Sequence, residues 1–176
     1  AVRTESKIYV CKQAISATRF IKSEGYTKLC DRILHSNKMR RERVSPMAFL
    51  GHCRMATNGQ ETNNENNQPV IKEGMVVVHN GIIVNAEDLW AQYPEMVREF
   101  ATDTEVFPSL VRRYLASSNS IEVAFSSAFK DIYGMSSVAA IFEDAPYLAI
   151  GTNNGSLYMC AHKNTNTYLF ASERYY

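Results

Sequence analysis

Hydrophobic residues along this chain follow two periods, one suited to strands and one to helices. The longest apolar runs, residues 75–78 and 137–142, read as core strands, and 74–84 is strand-like on both sides of Asn80-Gly81. Near the start, 2–14 mixes charged and β-favouring residues (Ile8, Tyr9, Val10) and predicts a strand or hairpin arm. Residues 18–43 have helical character, with Phe20, Ile21, Leu29, Ile33 and Leu34 apolar, and end in a basic run over 38–43 that reads as a solvated face. Pro46 then introduces a short strand over 47–50.

The most polar stretch, 58–69, is rich in Asn and favours turns and loop over any regular element. Further on, Asn85 is placed to cap a helix from Ala86, whose first turn holds Glu87 and Asp88. Thr102 or Asp103 opens a second helix with Val106, Leu110, Val111 and Leu115 on one face. Ser120 caps a third, which runs to about Tyr133 and stops at Gly134. Four strands follow, over 135–142, 147–151, 157–161 and 168–171. Strands, then helices, then strands predict an α+β domain with helices packed on antiparallel sheets.

Composition narrows the function classes. The 176 residues suit one domain, and a net charge of +1 gives no electrostatic footprint for nucleic acid. No apolar run is long enough to span a bilayer, so no membrane partner is expected. Cys11, Cys30, Cys53 and Cys160 lack the paired spacing of a zinc site, and no metal or other cofactor is expected. Without a secretory signal, reduced thiols and a cytoplasmic location fit best.

Three segments carry candidate chemistry. In Gly51-His52-Cys53-Arg54-Met55-Ala56-Thr57-Asn58-Gly59, the arginine can grip a carboxylate through two N–H bonds and the threonine can add a hydroxyl. By itself the arginine also reads as an ordinary residue at a strand end. In 76–84, Asn80-Gly81 between apolar runs is the strongest short signal for a β-hairpin. The same pair can supply an oxyanion hole, from the Asn80 side-chain amide and the Gly81 main-chain N–H. In Thr102-Asp103-Thr104-Glu105, Asp103 can cap a helix or receive a substrate ammonium group.

Taken together and in this order, the three segments resemble the glutaminase domain of class II (N-terminal-nucleophile) glutamine amidotransferases, glucosamine-6-phosphate synthases among them. The resemblance extends more loosely through Tyr133-Gly134 to Phe170-Ala171-Ser172. It implies a four-layer αββα sandwich with two antiparallel sheets between helices. It also implies L-glutamine as the ligand, bound by Arg54 and Thr57 at its α-carboxylate and by Asp103 at its α-ammonium group. Asn80 and Gly81 form the oxyanion hole, and the loop after Thr57 closes over the ligand. Asn58 stands where some members have histidine, and Met55 where many have an aromatic residue.

The family's nucleophile is a cysteine at the mature N-terminus, whereas this sequence begins Ala1-Val2-Arg3-Thr4. The expectation is therefore a single glutamine amidotransferase domain over 1–176, truncated at its N-terminus and also before the family's last strands. Intact, it hydrolyses glutamine to glutamate and ammonia for an acceptor (synthase) domain or subunit outside this chain; residues 1–176 alone are expected to be inactive. The alternative is a non-catalytic amino-acid-binding or regulatory module that kept the pocket without the nucleophile.

Overall fold

A computed structural model describes residues 1–5, 7–38, 46–53 and 66–175. Its centre is an antiparallel sheet in the order β4-β5-β6-β7, formed by Val70–Lys72, Met75–Gly81, Ser136–Phe142 and Leu148–Thr152. β5 and β6 pair along their whole length, from Met75 opposite Phe142 to Gly81 opposite Ser136. These are the two long apolar runs of the sequence. They are apolar without alternation because both faces of this sheet are covered.

One face carries Met75, Val77, Val138, Ala140 and Phe142, which pack against three helices: α3 (Ala86–Gln92), α4 (Val106–Ser118) and α5 (Ile121–Asp131). α4 contributes Val106, Phe107, Leu110 and Val111 from one side, and Phe107 meets Phe125 of α5 edge-on at 5.3 Å. Ser120 caps α5 as its sequence position predicts, accepting the Val123 N–H. The opposite face carries Val76, Val78, Ala139 and Ile141. Ile8, Val10, Ala48 and Phe170 cover it. They come from or flank a sheet in the order β2-β1-β3 (Ile8–Tyr9, Val2–Arg3, Ala48–Phe49) and a hairpin of β8 (Tyr158–His162) and β9 (Thr167–Ala171). The α+β expectation, with antiparallel sheets stacked face to face and helices outside, describes this arrangement.

Three local expectations need correction. The helix expected over 18–43 is two pieces, α1 (Ala17–Phe20) and α2 (Glu24–Lys38). Ser23 starts the second by accepting the Tyr26 N–H, the usual work of a helix-capping hydroxyl. Ile33 is buried, but Ile21 and Leu34 are exposed, so the apolar residues of this segment are only partly buried; residues 39–43 of the basic run lie outside the described residues. Asn85 sits at the cap of α3 without capping it. Its amide instead donates to Asp131 O and accepts from Tyr133 N, which pins the end of α5 beside the end of β5. Finally, Asn80-Gly81 is not a hairpin turn. Both residues lie inside β5, opposite Ser137 and Ser136.

No helix among the described residues is long and apolar enough to cross a membrane.

Candidate functional site at the end of β5

β5 is longer than its neighbour β4, and this difference creates the site. Register stops at Val70 opposite Val77, so β5 runs on past its partner. In an antiparallel ladder, successive residues turn their main-chain groups alternately to one neighbour and the other. Ile82 N donates to Met135 O and Val84 N to Tyr133 O, so the even-numbered residues face β6. His79, Gly81 and Ile83 therefore face the side that β4 leaves open.

Each of the three ends differently. The His79 main chain is held by one side chain: His79 N donates to Gln68 Oε1 at 2.6 Å, and Gln68 Nε2 donates to His79 O at 2.7 Å. Gln68 thus replaces the missing rung of β4. Ile83 N donates to Asp103 Oδ2 at 2.8 Å. Between them, the Gly81 N–H takes no partner among the described residues. Residues two apart on a strand are separated by about 7 Å, so a carboxylate and an open N–H lie on one edge at the length of an extended amino-acid side chain.

Gly81 has to be glycine. Its φ is +141°, and a Cβ there would lie 1.9 Å from Met135 O. The neighbouring Asn80 side chain is on the sheet face that continues from Val76 and Val78, where it is exposed and forms no hydrogen bond among the described residues. It shares its cross-strand row with Ser137 and Thr152. An unoccupied amide beside an unoccupied main-chain N–H can donate two hydrogen bonds to one oxygen.

The Asp-Thr-Glu segment is a 3₁₀ turn, Asp103–Glu105, leading into α4. Each residue points to a different neighbour. Asp103 is half-buried and reaches β5. Thr104 is buried and meets the His79 ring, its hydroxyl 3.1 Å from Nδ1. Glu105, 0% exposed, accepts the Glu99 and Phe100 N–H groups at 2.7 Å each. Its charge is met by Lys72, also buried, at 3.2 Å. Burial opposes the Lys72 charge, but hydrogen bonds to Glu99 and Glu105 outweigh it and leave the ammonium pKa above its usual value. This pair fixes the loop that delivers Asp103.

His79 connects the two halves. Only 2% exposed, its ring spans Thr104 at Nδ1 and Ser136 Oγ at Nε2, each 3.1 Å away. Burial holds its pKa below the ordinary 6.5, against the opposing pull of the Asp103 charge. The imidazole is therefore neutral at physiological pH, and its two hydroxyl partners suit either tautomer.

Of the residues singled out by sequence, Asn80, Gly81 and Asp103 lie together at this strand end. Arg54 and Thr57 lie outside the described residues. The beginning of their segment, Gly51-His52-Cys53, lines a cleft of about 480 Å³ together with Gln68, which is the residue holding His79. Sequence reasoning quotes His79 and Glu105 only as members of their segments, assigns them no role, and does not single out Gln68 or Lys72. Gln68 had one visible cue, as the last polar residue before Pro69 where the Asn-rich stretch gives way to a strand. All four cysteines are free thiols, with Cys53 and Cys160 exposed.

Comparison with known proteins gives consistent results. Residues 52–176 match the family model described as a glutamine amidotransferase domain. A glutamine–fructose-6-phosphate aminotransferase (isomerizing) of Rhizobium meliloti is 31% identical over 135 residues, covering 76% of this chain and 22% of the relative. The protein of the same name from Bradyrhizobium diazoefficiens is 36% identical over 124 residues, covering 69% and 20%. The chain thus spans about a fifth of the length of the curated relatives it matches. Among solved structures, a glutamine phosphoribosylpyrophosphate amidotransferase from B. subtilis, complexed with ADP and GMP, superposes with a TM-score of 0.55. It is 24% identical, with 69% of this chain and 26% of that one covered. That likeness gives the fold, an α+β arrangement of stacked antiparallel sheets with helices packed against them.

Proposed function

We propose, given that this chain belongs to the glutamine amidotransferase domain family, that L-glutamine binds at the open edge of β5 and is hydrolysed there in the intact protein. The observation carrying this reading is the Gly81 N–H, without a partner among the described residues, on the strand edge between a main chain fixed by Gln68 and an N–H fixed by Asp103. Asp103 receives the α-ammonium group, and Arg54 with Thr57 receives the α-carboxylate, so the side-chain amide is directed along the edge. Opposed charges at one end and neutral donors at the other are what an amino acid with a reactive amide requires.

The nucleophile is an N-terminal cysteine of the intact protein. Its thiolate attacks the amide carbon while its own α-amine takes the thiol proton. The carbonyl oxygen becomes an oxyanion held by the Asn80 amide and the Gly81 N–H. As the tetrahedral species collapses, the cysteine's α-ammonium returns its proton to the amide nitrogen, which leaves as ammonia and gives a γ-glutamyl thioester that water cleaves to glutamate and free thiol. The ammonia passes to an acceptor domain or subunit outside residues 1–176, and the thiol chemistry suits a reducing cytoplasm.

The test is glutaminase kinetics on the intact protein, wild type beside Arg54→Ala. Equimolar glutamate and ammonia, with KM for glutamine raised about tenfold or more by the substitution, are expected because a charge-assisted bidentate contact is lost. Absence of glutamate release from the wild type contradicts the proposal.

A further inference from the structure

Gln68 is not among the groups proposed to touch the ligand, yet its side chain makes two of the shortest hydrogen bonds at the site. Its amide meets His79 N at 2.6 Å and His79 O at 2.7 Å. It therefore completes a rung that β4, which pairs only from Val70, cannot supply. The next main-chain group on the same edge is Gly81, whose N–H takes no partner among the described residues. Gly81 has no side chain to fix its peptide plane, and its φ of +141° lies where only glycine settles readily. What fixes that plane is pairing with β6 on one edge and the held His79 on the other.

The segment around Gln68 is itself anchored. Asn66 Oδ1 accepts the Ala101 N–H, two residues before Asp103. Lys12 Nζ donates to Asn67 O at 3.0 Å and Pro69 O at 3.3 Å. Gln68 thus transmits the position of a well-held segment to the main chain of β5.

We infer that Gln68 is a positioning residue for glutamine hydrolysis: it aims the Gly81 N–H at the oxyanion by holding the main chain of His79. The inference rests on the proposed function and adds to it a residue that contacts neither ligand nor nucleophile. Gln68 acts when charge develops on the carbonyl oxygen. Ground-state affinity, which depends on the charged groups at the other end of the ligand, is left largely intact.

The experiment uses the intact protein with Gln68→Met, which keeps volume and removes both bonds, and Gln68→Glu, which keeps the acceptor for His79 N–H but turns a second anionic oxygen towards His79 O. Three quantities are read: glutaminase kcat, the affinity for L-glutamate, and the stoichiometry of that binding by calorimetry. L-Glutamate shares the α-groups of glutamine and is not turned over, so stoichiometry counts folded sites independently of catalysis. Both variants are expected to bind glutamate at full stoichiometry with affinity within about threefold, while kcat per site falls between about tenfold and a hundredfold, the scale of loss for an ångström of misplacement.

A purely structural role for Gln68 instead lowers stoichiometry and leaves kcat per site unchanged, which overturns the inference. So does a kcat within twofold of wild type at full stoichiometry in either variant. A wild type that binds glutamate but releases none from glutamine overturns the functional reading, and the inference with it.

Discussion

Asp103 accepts the Ile83 N–H at 2.8 Å through Oδ2, tying the start of the 3₁₀ turn to the strand end that carries Gly81. One side chain thereby sets strand geometry and offers a negative charge to the open edge. Asp103→Asn separates these roles, because the amide oxygen can still accept from Ile83 while the charge is gone. Hydrogen bonds to charged groups contribute about 1.5–3 kcal/mol, so KM for glutamine should rise by roughly ten- to a hundredfold. The thermal melt should move little. Steady-state kinetics beside a melt checks both halves.

The Lys72–Glu105 pair holds the loop before Asp103. Lys72→Met leaves the Glu105 carboxylate buried with two N–H groups but no opposing charge. Breaking one side of a buried pair costs about 3–5 kcal/mol, and denaturant unfolding should report a loss of that size. A change below about 1 kcal/mol contradicts the role given to this pair in holding the loop.

His79 gives the fold a dependence on pH whose sign follows from its environment. Its folded pKa is depressed by burial, so the unfolded chain binds this proton more readily than the folded one. Its contribution is fully present above about pH 6.5 and is lost as pH falls from there towards the lower folded value. Melting temperature should therefore drop between pH 7 and pH 5, and His79→Gln should flatten the curve in that window. An equal slope in both proteins removes His79 as the cause.

The strands at 75–78 and 137–142 were legible in the sequence because both faces are buried, so the run itself is apolar. Asn80-Gly81 misled at the local level: its hairpin preference is a property of two residues, whereas its actual partners, Ser137 and Ser136, are more than fifty positions away. Asn85 misled for the same reason, its amide being drawn off to Asp131 and Tyr133. Asp103 was legible only through the order of three motifs. Glu105, Lys72 and Gln68 were not legible, since a charged or amide side chain looks solvated until its tertiary partners are known.

Gly81→Ala tests the conformation of the strand end. The added Cβ would meet Met135 O at 1.9 Å, against a φ of +141° that alanine disfavours. The clash is with main chain on the paired strand, so it is relieved only by breaking the end of the β5–β6 ladder. We expect loss of glutaminase activity together with amide-exchange protection lost around 81–84 and 133–136. Retained protection and activity would contradict the described geometry.

Asn80 bears most directly on the central claim that the end of β5 is an oxyanion site. The side chain is exposed and unbonded among the described residues, so Asn80→Ala should shift stability by no more than about 0.5 kcal/mol. Alanine is the better probe here than glycine, because Asn80 lies in a strand, where glycine weakens the fold. If the amide holds the developing oxyanion, the substitution lowers glutaminase kcat by about a hundredfold or more. Affinity for glutamate should stay near that of the wild type, since Arg54, Thr57 and Asp103 are intact. The decisive measurement is kcat for glutamate release from L-glutamine by the intact protein, wild type against Asn80→Ala. A loss of about a hundredfold in a fully folded variant is the predicted result, and unchanged turnover contradicts the account.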